Sequence, residues 1–487
     1  MQKTIKLLCL LLVLIMMFGM LAACGNKNGD QTTETTDSSE ETTAAGDNNL
    51  DENGYLKDSL PESYDFGKEF KIFTWNGQKA WEWVDEISEQ PTSVEQVLWE
   101  REANVEERFG VEIERIYANG AWDDRNSFIS TLSQNVLGND HEYDLVGQYT
   151  PAAGIGAVTG LYTDIKKVNY VDLSKPWWPS SITETATVGD KLYFVTGDIT
   201  PTLIRNVQCM FVNTALYDSY QLANDVNGKT IYELVKDYEW TMETMLKLAL
   251  NKVSVEQGNY GISMLNQVSA DSFFYGAGFT YVKNNDGIMT LSDDLSNNLL
   301  INYFDQVKDL FTGRYEDVAV AGLDPFLQGK ALFYNSNVSD SQQLSAEGVA
   351  FTLLPMPLLD DSQQEYRTCS NFWVTVYSIP VDAGDMNMSG VILEALASEA
   401  YRTVSDEIYY NMFQIRYNGA DEDSAKMFDI VSDSVVFDAA RFFPDALGLF
   451  AQFRLGVNDV SGNWSTIYGG SKDSWTEKIQ KLYADVG

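Results

Sequence analysis

The chain has 487 residues, of which 71 are acidic and 33 basic, for a formal net charge of −38. So acidic a surface repels nucleic acid and anionic lipid headgroups, so neither is expected as a partner. With four cysteines and one histidine, the composition also excludes a disulfide framework, a His-rich metal site and most His-dependent nucleophile pairs.

The chain opens on a basic n-region, Lys3 and Lys6, followed by an apolar h-region from Leu7 to Leu21. That run is of secretory length and shorter than the roughly 20 residues of a spanning helix. It ends at Leu21-Ala22-Ala23-Cys24, which resembles the lipobox of bacterial lipoproteins. The resemblance implies that residues 1–23 are a lipoprotein signal peptide and that Cys24 is lipidated as the new N-terminus; an ordinary signal peptide cut near Ala23 is the alternative. Loss of the two lysines takes the formal charge to −40. Residues 24–53 are mostly Thr, Ser, Glu, Asp, Asn and Gly, with no aromatic side chain. Such a stretch buries too little apolar area to offset its ordering entropy and is expected to be a disordered leash.

The roughly 430 residues that follow exceed what one core serves, so two lobes are expected. Phe70–Trp75 reads as a buried strand ended by Asn76-Gly77. Ser93-Val94-Glu95-Gln96 reads as a capping box, with Gly110 in the position of a C-terminal glycine and Val94, Val97, Leu98, Arg101, Val105 and Phe109 on one face. Val111–Tyr117 alternates as a strand, Asp124–Leu137 is amphipathic with Gly138 as its stop, Glu142–Gly147 is a third strand and Pro151–Thr159 a short helix. His141, just before that third strand, reads as a loop residue. Strand and helix in alternation predict a parallel, doubly wound α/β sheet. Ligands bind beyond the carboxyl ends of such strands, here Trp75-Asn76-Gly77 and Gly147-Gln148-Tyr149-Thr150.

Further along, motifs follow one another in a recognisable order. They are EYDLVGQYTPAAGIGAVTGLYTDI (142–165), VGDKLYFVTGD (188–198), MFVNTALYDSYQL (210–222), YEWTMETMLKLA (238–249), DPFLQGKALFYNSN (324–337) and LPMP (354–357). Together, over about 68–487, they resemble the carbohydrate-type extracellular solute-binding proteins of ABC importers. Two positions depart from the pattern: Thr196-Gly197-Asp198 replaces a usual proline, and Tyr238-Glu239 replaces Pro-x.

The resemblance implies a two-lobed periplasmic-binding-protein-like fold (type II) with a hinge of crossing strands near Arg205–Val212 and Thr368–Val376. Lobe one takes 54–203 and 373–434, and lobe two takes 204–372 and 435–487. It further implies a monomer, without a cofactor and without catalysis, that is lipid-anchored on the extracellular face of the membrane and delivers an oligosaccharide to ABC permease subunits. A surface glycan-binding or glycan-hydrolysing lipoprotein without a transport role is the alternative. Because the family pairs its crossing strands, Cys209 and Cys369 either form a staple across the hinge or are small buried hydrophobes.

Sugars present flat C–H faces and rings of hydroxyls, which suit aromatic rings and directional polar groups. Lys175-Pro176-Trp177-Trp178-Pro179 cannot lie inside a helix, and its two Trp are expected to stack on sugar or to plug a lobe. Trp75, Gln148, Tyr149, Asp198, Arg205, Asn335, Asn371, Trp373 and Trp464 complete the expected ligand set. The adjacent pairs Asp123-Asp124, Asp293-Asp294 and Asp360-Asp361 read as solvated turns rather than as a glycosidase pair, whose carboxyls must face a cleft roughly 5–10 Å apart. Asn284-Asn285-Asp286-Gly287 reads as a turn, and no phosphate-cradling glycine motif is present.

Overall fold

The structure, a computed structural model, describes residues 49–251, 257–315, 319–371, 373–417 and 421–486. Cys24, its leader and most of the acidic leash lie outside the described residues. In chain order the strands are β1 (Lys68–Trp75), β2 (Val111–Ala118), β3 (Leu145–Tyr149), β4 (Gln208–Asn213), β5 (Tyr260–Met264), β6 (Val282–Asn285), β7 (Ile288–Leu291), β8 (Ala319–Ala321), β9 (Ala331–Asn337), β10 (Phe351–Leu354), β11 (Thr368–Cys369), β12 (Thr375–Ser378) and β13 (Val435–Val436).

The first sheet runs β12-β3-β1-β2. β1 is parallel to both β2 and β3, with Ile72 opposite Leu145 and Thr74 opposite Gly147. β12, from far along the chain, adds antiparallel to β3 with Thr375 opposite Tyr149. Helix Ser93–Phe109 crosses between β1 and β2 and buries Val94, Leu98, Arg101, Val105 and Phe109, close to the expected face. Its capping box sits one residue earlier than the pattern suggests: Thr92 Oγ1 accepts from Glu95 N, and the Glu95 carboxylate accepts from Thr92 N at 2.7 Å. The helix ends on Gly110 at φ +57°, where a Cβ would come within 2.2 Å of Asp65 Oδ1. The next helix, Arg125–Gly138, is closed by Asn139 in the left-handed region rather than by Gly138. The third strand starts later than expected, at Leu145; just before it Asp144 N donates to Lys71 O, and the Asp144 carboxylate accepts from Lys71 N, both at 2.9 Å.

The second sheet runs β10-β4-β9-β5-β8, with β5 parallel to β8 and β9, and β4 antiparallel to β9 and β10. β6 and β7 form a hairpin across Asp286-Gly287, both at positive φ, as a tight turn requires. Two segments connect the sheets. The outgoing one turns through helix Thr202–Arg205 into β4, and the returning one runs from β11 to β12. They meet side by side: Val207 and Ser370 form an antiparallel bridge, and Asn371 N donates to Asn206 O at 2.6 Å.

Helix Met386–Arg402 packs on Ser93–Phe109 of the first sheet. Helix Glu422–Asp433 instead packs on β10 and on helix Ile231–Lys236, with Ser424 Oγ at 3.2 Å from Thr352 Oγ1 and 3.1 Å from the Tyr232 hydroxyl. This departs from the expected division, which puts 373–434 in the first lobe. Cys209 and Cys369 are buried free thiols, and Cys369 Sγ donates to Gln208 Oε1 at 3.0 Å, so no staple joins the crossing segments.

Candidate functional site

Where the parallel strands end, the chain leaves side chains that no ladder consumes. Tyr149 closes β3, Gln78 follows β1, and Asn371 and Trp373 lie on the way into β12. From the second sheet, Leu265, Asn266 and Val268 follow β5, and Asn337 closes β9. With Asn206 of the outgoing crossing, and with Trp122, Phe450 and Arg454, these residues line a cavity of about 420 Å³.

Three aromatic rings form one wall. Trp75 stacks on Tyr149 at 5.1 Å between centroids, and Trp373 tilts against both at 5.5 and 6.0 Å. Trp75 is buried behind the other two. Its indole N–H donates to Thr375 Oγ1 at 2.8 Å, and that hydroxyl donates in turn to the Glu82 carboxyl at 2.8 Å. Burial pushes the Glu82 carboxyl up to about 7, against the opposing pull of the Thr202 and Thr375 hydroxyls and of Arg101. Trp373 is 40% exposed and lines the cavity. The Tyr149 hydroxyl has no protein partner among the described residues. Burial raises its pKa well above the ordinary phenol value, and the charges of Arg441, Arg125 and Arg454 oppose this.

Amides line the rest, and three of them are fixed at one end. Gln78 Nε2 and Asn206 Nδ2 both donate to Trp373 O, at 3.0 and 2.6 Å. Asn266 Oδ1 accepts from Val268 N at 2.7 Å. These bonds hold the amides in place and leave Gln78 Oε1, Asn206 Oδ1 and Asn266 Nδ2 without protein partners among the described residues. Asn337 Oδ1 is buried with no partner at all among them. Such a set offers both donors and acceptors to a hydroxylated solute beside an aromatic platform. No carboxylate lines the cavity; its single charged side chain is Arg454, whose Nη1 donates to Asp271 Oδ2 at 2.9 Å.

Of the residues expected from sequence, Tyr149, Asn371 and Trp373 come together here, with Trp75 directly behind. The others lie elsewhere. Gln148 is buried inside the first sheet, donating to Ser378 Oγ at 3.0 Å and accepting from the Tyr162 hydroxyl at 2.6 Å. Asn335 is buried one turn of the pleat inside β9, donating to Cys209 O at 3.0 Å. Trp464 is buried in the core with its indole N–H on Leu295 O at 2.9 Å. Arg205 sits over Trp81, its Cζ 3.3 Å from the ring centroid. Asp198 accepts from Ser405 Oγ beside a second, largely apolar cavity of about 300 Å³, and burial pushes its carboxyl up to about 7.

The clearest correction concerns Trp177 and Trp178. Both are fully buried, and both indole N–H groups converge on the Glu394 carboxyl, at 3.1 and 2.8 Å. Burial raises Glu394 to about 7, and the two indoles and Asp172 N act against that rise. Gly197 lets this turn close, since a Cβ there would lie 2.1 Å from Trp177 O. No ring face remains for a sugar, so the Pro-bounded pair is the plug of a lobe and not a stacking platform.

Sequence reasoning missed Gln78, Trp122, Asn206, Asn266, Asn337, Phe450 and Arg454. Asn337 was within reach, as the last residue of a motif ending at a strand terminus; the isolated Arg454 gave no local signal. The adjacent Asp pairs stay in turns and helix starts: Asp360 accepts from Ser362 N and Oγ, and Asp293-Asp294 open a short helix after Ser292. Among the described residues no cluster of His, Cys, Asp or Glu is arranged to hold a metal, and no helix is long and apolar enough to cross a membrane.

No family model matches the chain, and no curated protein matches it in sequence. Its fold does match solved structures. The galacto-N-biose/lacto-N-biose I-binding protein of the ABC transporter from Bifidobacterium longum, in complex with lacto-N-biose, aligns at a TM-score of 0.54 with 11% identity, over 86% of this chain and 98% of that one. UgpB from Mycobacterium tuberculosis, in complex with glycerophosphocholine, gives 0.54 and 14% over 84% and 98%. The GacH receptor of Streptomyces glaucescens GLA.O, known unliganded and with acarbose, gives 0.53 and 11% over 85% and 99%. The chain therefore has the two-lobed, periplasmic-binding-protein-like α/β fold that its motif order suggests.

Proposed function

We propose that this protein is an extracellular solute-binding protein, anchored to the bacterial membrane by lipid on Cys24, that captures a carbohydrate for ABC permease subunits. The observation that carries the proposal is the cleft between the two sheets. It combines an aromatic wall with the amides of Gln78, Asn206 and Asn266, each fixed at one end and without a protein partner at the other among the described residues. The binding proteins that share the fold include complexes with lacto-N-biose and with acarbose, which supports a saccharide as solute. In this reading Trp373 is the stacking platform and Trp75 its backing. Tyr149, Asn371, Gln78, Asn206, Asn266 and Asn337 bond the hydroxyls.

The lobes follow the two sheets. Lobe one holds 54–203 and the segment from 373 through helix Met386–Arg402. Lobe two holds 204–372 and 435–487 together with helix Glu422–Asp433, which packs on β10. The paired crossings at Val207 and Ser370 form the hinge, and rotation about them closes the cleft on solute. The monomer binds one solute at a time, and the leash lets the anchored body reach the permease.

A thermal-shift screen across mono- and oligosaccharides tests the reading, because a ligand of the native state alone raises the melting temperature. Saturable stabilisation by one sugar class, with no product released, is expected. Release of shortened glycan would favour the hydrolase alternative, for which the cleft supplies no carboxylate pair.

A further inference from the structure

Arg454 is out of keeping with a cleft built only for a neutral sugar. It is the one charged side chain among amides and aromatics, in a chain whose formal charge is −38. It sits on the short helix Gln452–Val457 and is largely buried, with 13% of its side chain exposed. Asp271, almost fully buried behind it, takes Nη1 at 2.9 Å and holds the guanidinium in place. A second arginine, Arg441, lies 3.8 Å from the same carboxylate, so Asp271 does not belong to Arg454 alone.

The remaining edge of Arg454 is the important part. Nε and Nη2 have no protein partner among the described residues, and neither is a buried orphan. These two nitrogens form the side-on fork of a guanidinium, whose parallel N–H bonds match the two oxygens of a carboxylate. Around it the cavity offers the Tyr149 hydroxyl and the neutral amides, and no carboxylate that would repel an anion.

We infer that the solute carries a carboxylate, making it an acidic sugar of the uronate class, and that Arg454 receives this group through its Nε–Nη2 edge. The inference rests on the carbohydrate-capture reading and narrows it. A phosphate or sulfate ester shares the negative charge and can also bond the fork through two oxygens, so the test below sets both against the carboxylate.

The test is calorimetric titration of the full chain with uronate oligosaccharides, their methyl esters, the matching neutral hexose oligomers, and sugar phosphates and sulfates. The free acid is expected to bind roughly 10- to 100-fold tighter than its own ester, the range of a charge-assisted bidentate contact. Arg454→Lys keeps the charge and removes the fork, so it should lose most of that ratio; Arg454→Gln should lose all of it. The ester comparison on the parent protein stands even if Arg454→Gln fails to fold with Asp271 uncompensated. If acid and ester bind equally, or a neutral oligomer or a phosphate or sulfate ester binds tighter than any uronate, the carboxylate assignment is overturned while solute capture survives. If no saccharide of any kind binds, both fall together.

Discussion

Trp373→Ala separates the platform from the plug. The ring is 40% exposed; a Trp side chain has about 250 Å² of surface, so about 100 Å² is open to a stacked solute. At roughly 25 cal/mol per Å², covering that area contributes about 2.5 kcal/mol, or roughly 70-fold in Kd. The backbone carbonyl of residue 373, which holds Gln78 and Asn206, is retained in the variant. Only ring contacts to Trp75 and Tyr149 are lost from the fold, at about 1–2 kcal/mol. Trp178→Ala should do the reverse. It empties a core site at about 3–5 kcal/mol and removes one of the donors to Glu394, yet leaves the cleft untouched. The assay is titration of parent and both variants with whichever sugar the screen yields, alongside urea unfolding. If Trp373→Ala binds within about threefold of the parent, or if Trp178→Ala loses affinity while still folded, the division into platform and plug is wrong.

Three further outcomes are expected. The Glu82 carboxyl, raised by burial to about 7 from an ordinary value near 4.5, favours the protonated form in the folded state, so its contribution to stability is present below about pH 4.5 and is lost as pH rises through about 7. Glu82→Gln should therefore flatten the pH dependence of unfolding free energy across that window, and an unchanged slope would argue against a raised pKa. Cys209 and Cys369 should both alkylate under denaturing, non-reducing conditions and resist reagent in the native state; a mass two hydrogens lighter than the dithiol would mean a bridge. Cys24→Ala should take up no labelled fatty acid and leave the membrane fraction, whereas label equal to the parent would rule out that anchor site.

The first sheet was legible because its strands carry their pattern locally. Val111–Tyr117 alternates, and the helix before it ends on a glycine that only positive φ explains. Strand ends in a parallel sheet also pointed to Trp75 and Tyr149. The Trp177–Trp178 turn was misread for a physical reason. Proline sets local backbone geometry, but burial is decided by what packs on top, and here that is Glu394, more than 200 residues away along the chain. Asn335 and Asn337 show the same limit on a finer scale. Two residues apart on one strand, they share a face; Asn335 is covered by Met356, while Asn337, at the last pair of the ladder, reaches the cavity.

The charge pattern connects fold and site. At physiological ionic strength, exposed charges are screened beyond about 8 Å, so the acidic surface sets solubility and discourages polyanions without dictating what a cleft side chain meets at contact distance. Inside, the dielectric is lower and pairing decides. Asp271 does not line the cavity; it takes Arg454 Nη1 at 2.9 Å, so the cation that lines the cavity is held and compensated. Gln78, Asn206 and Asn266 follow the same logic, since each gives one side-chain atom to a backbone group and leaves the other without a protein partner among the described residues. Gln78, beyond β1, and Asn206, on the outgoing crossing, both donate to the carbonyl of residue 373, so one backbone group ties the end of the first sheet to the crossing. In the proposed reading, a solute stacked on Trp373 rests on the same residue whose carbonyl holds the outgoing crossing.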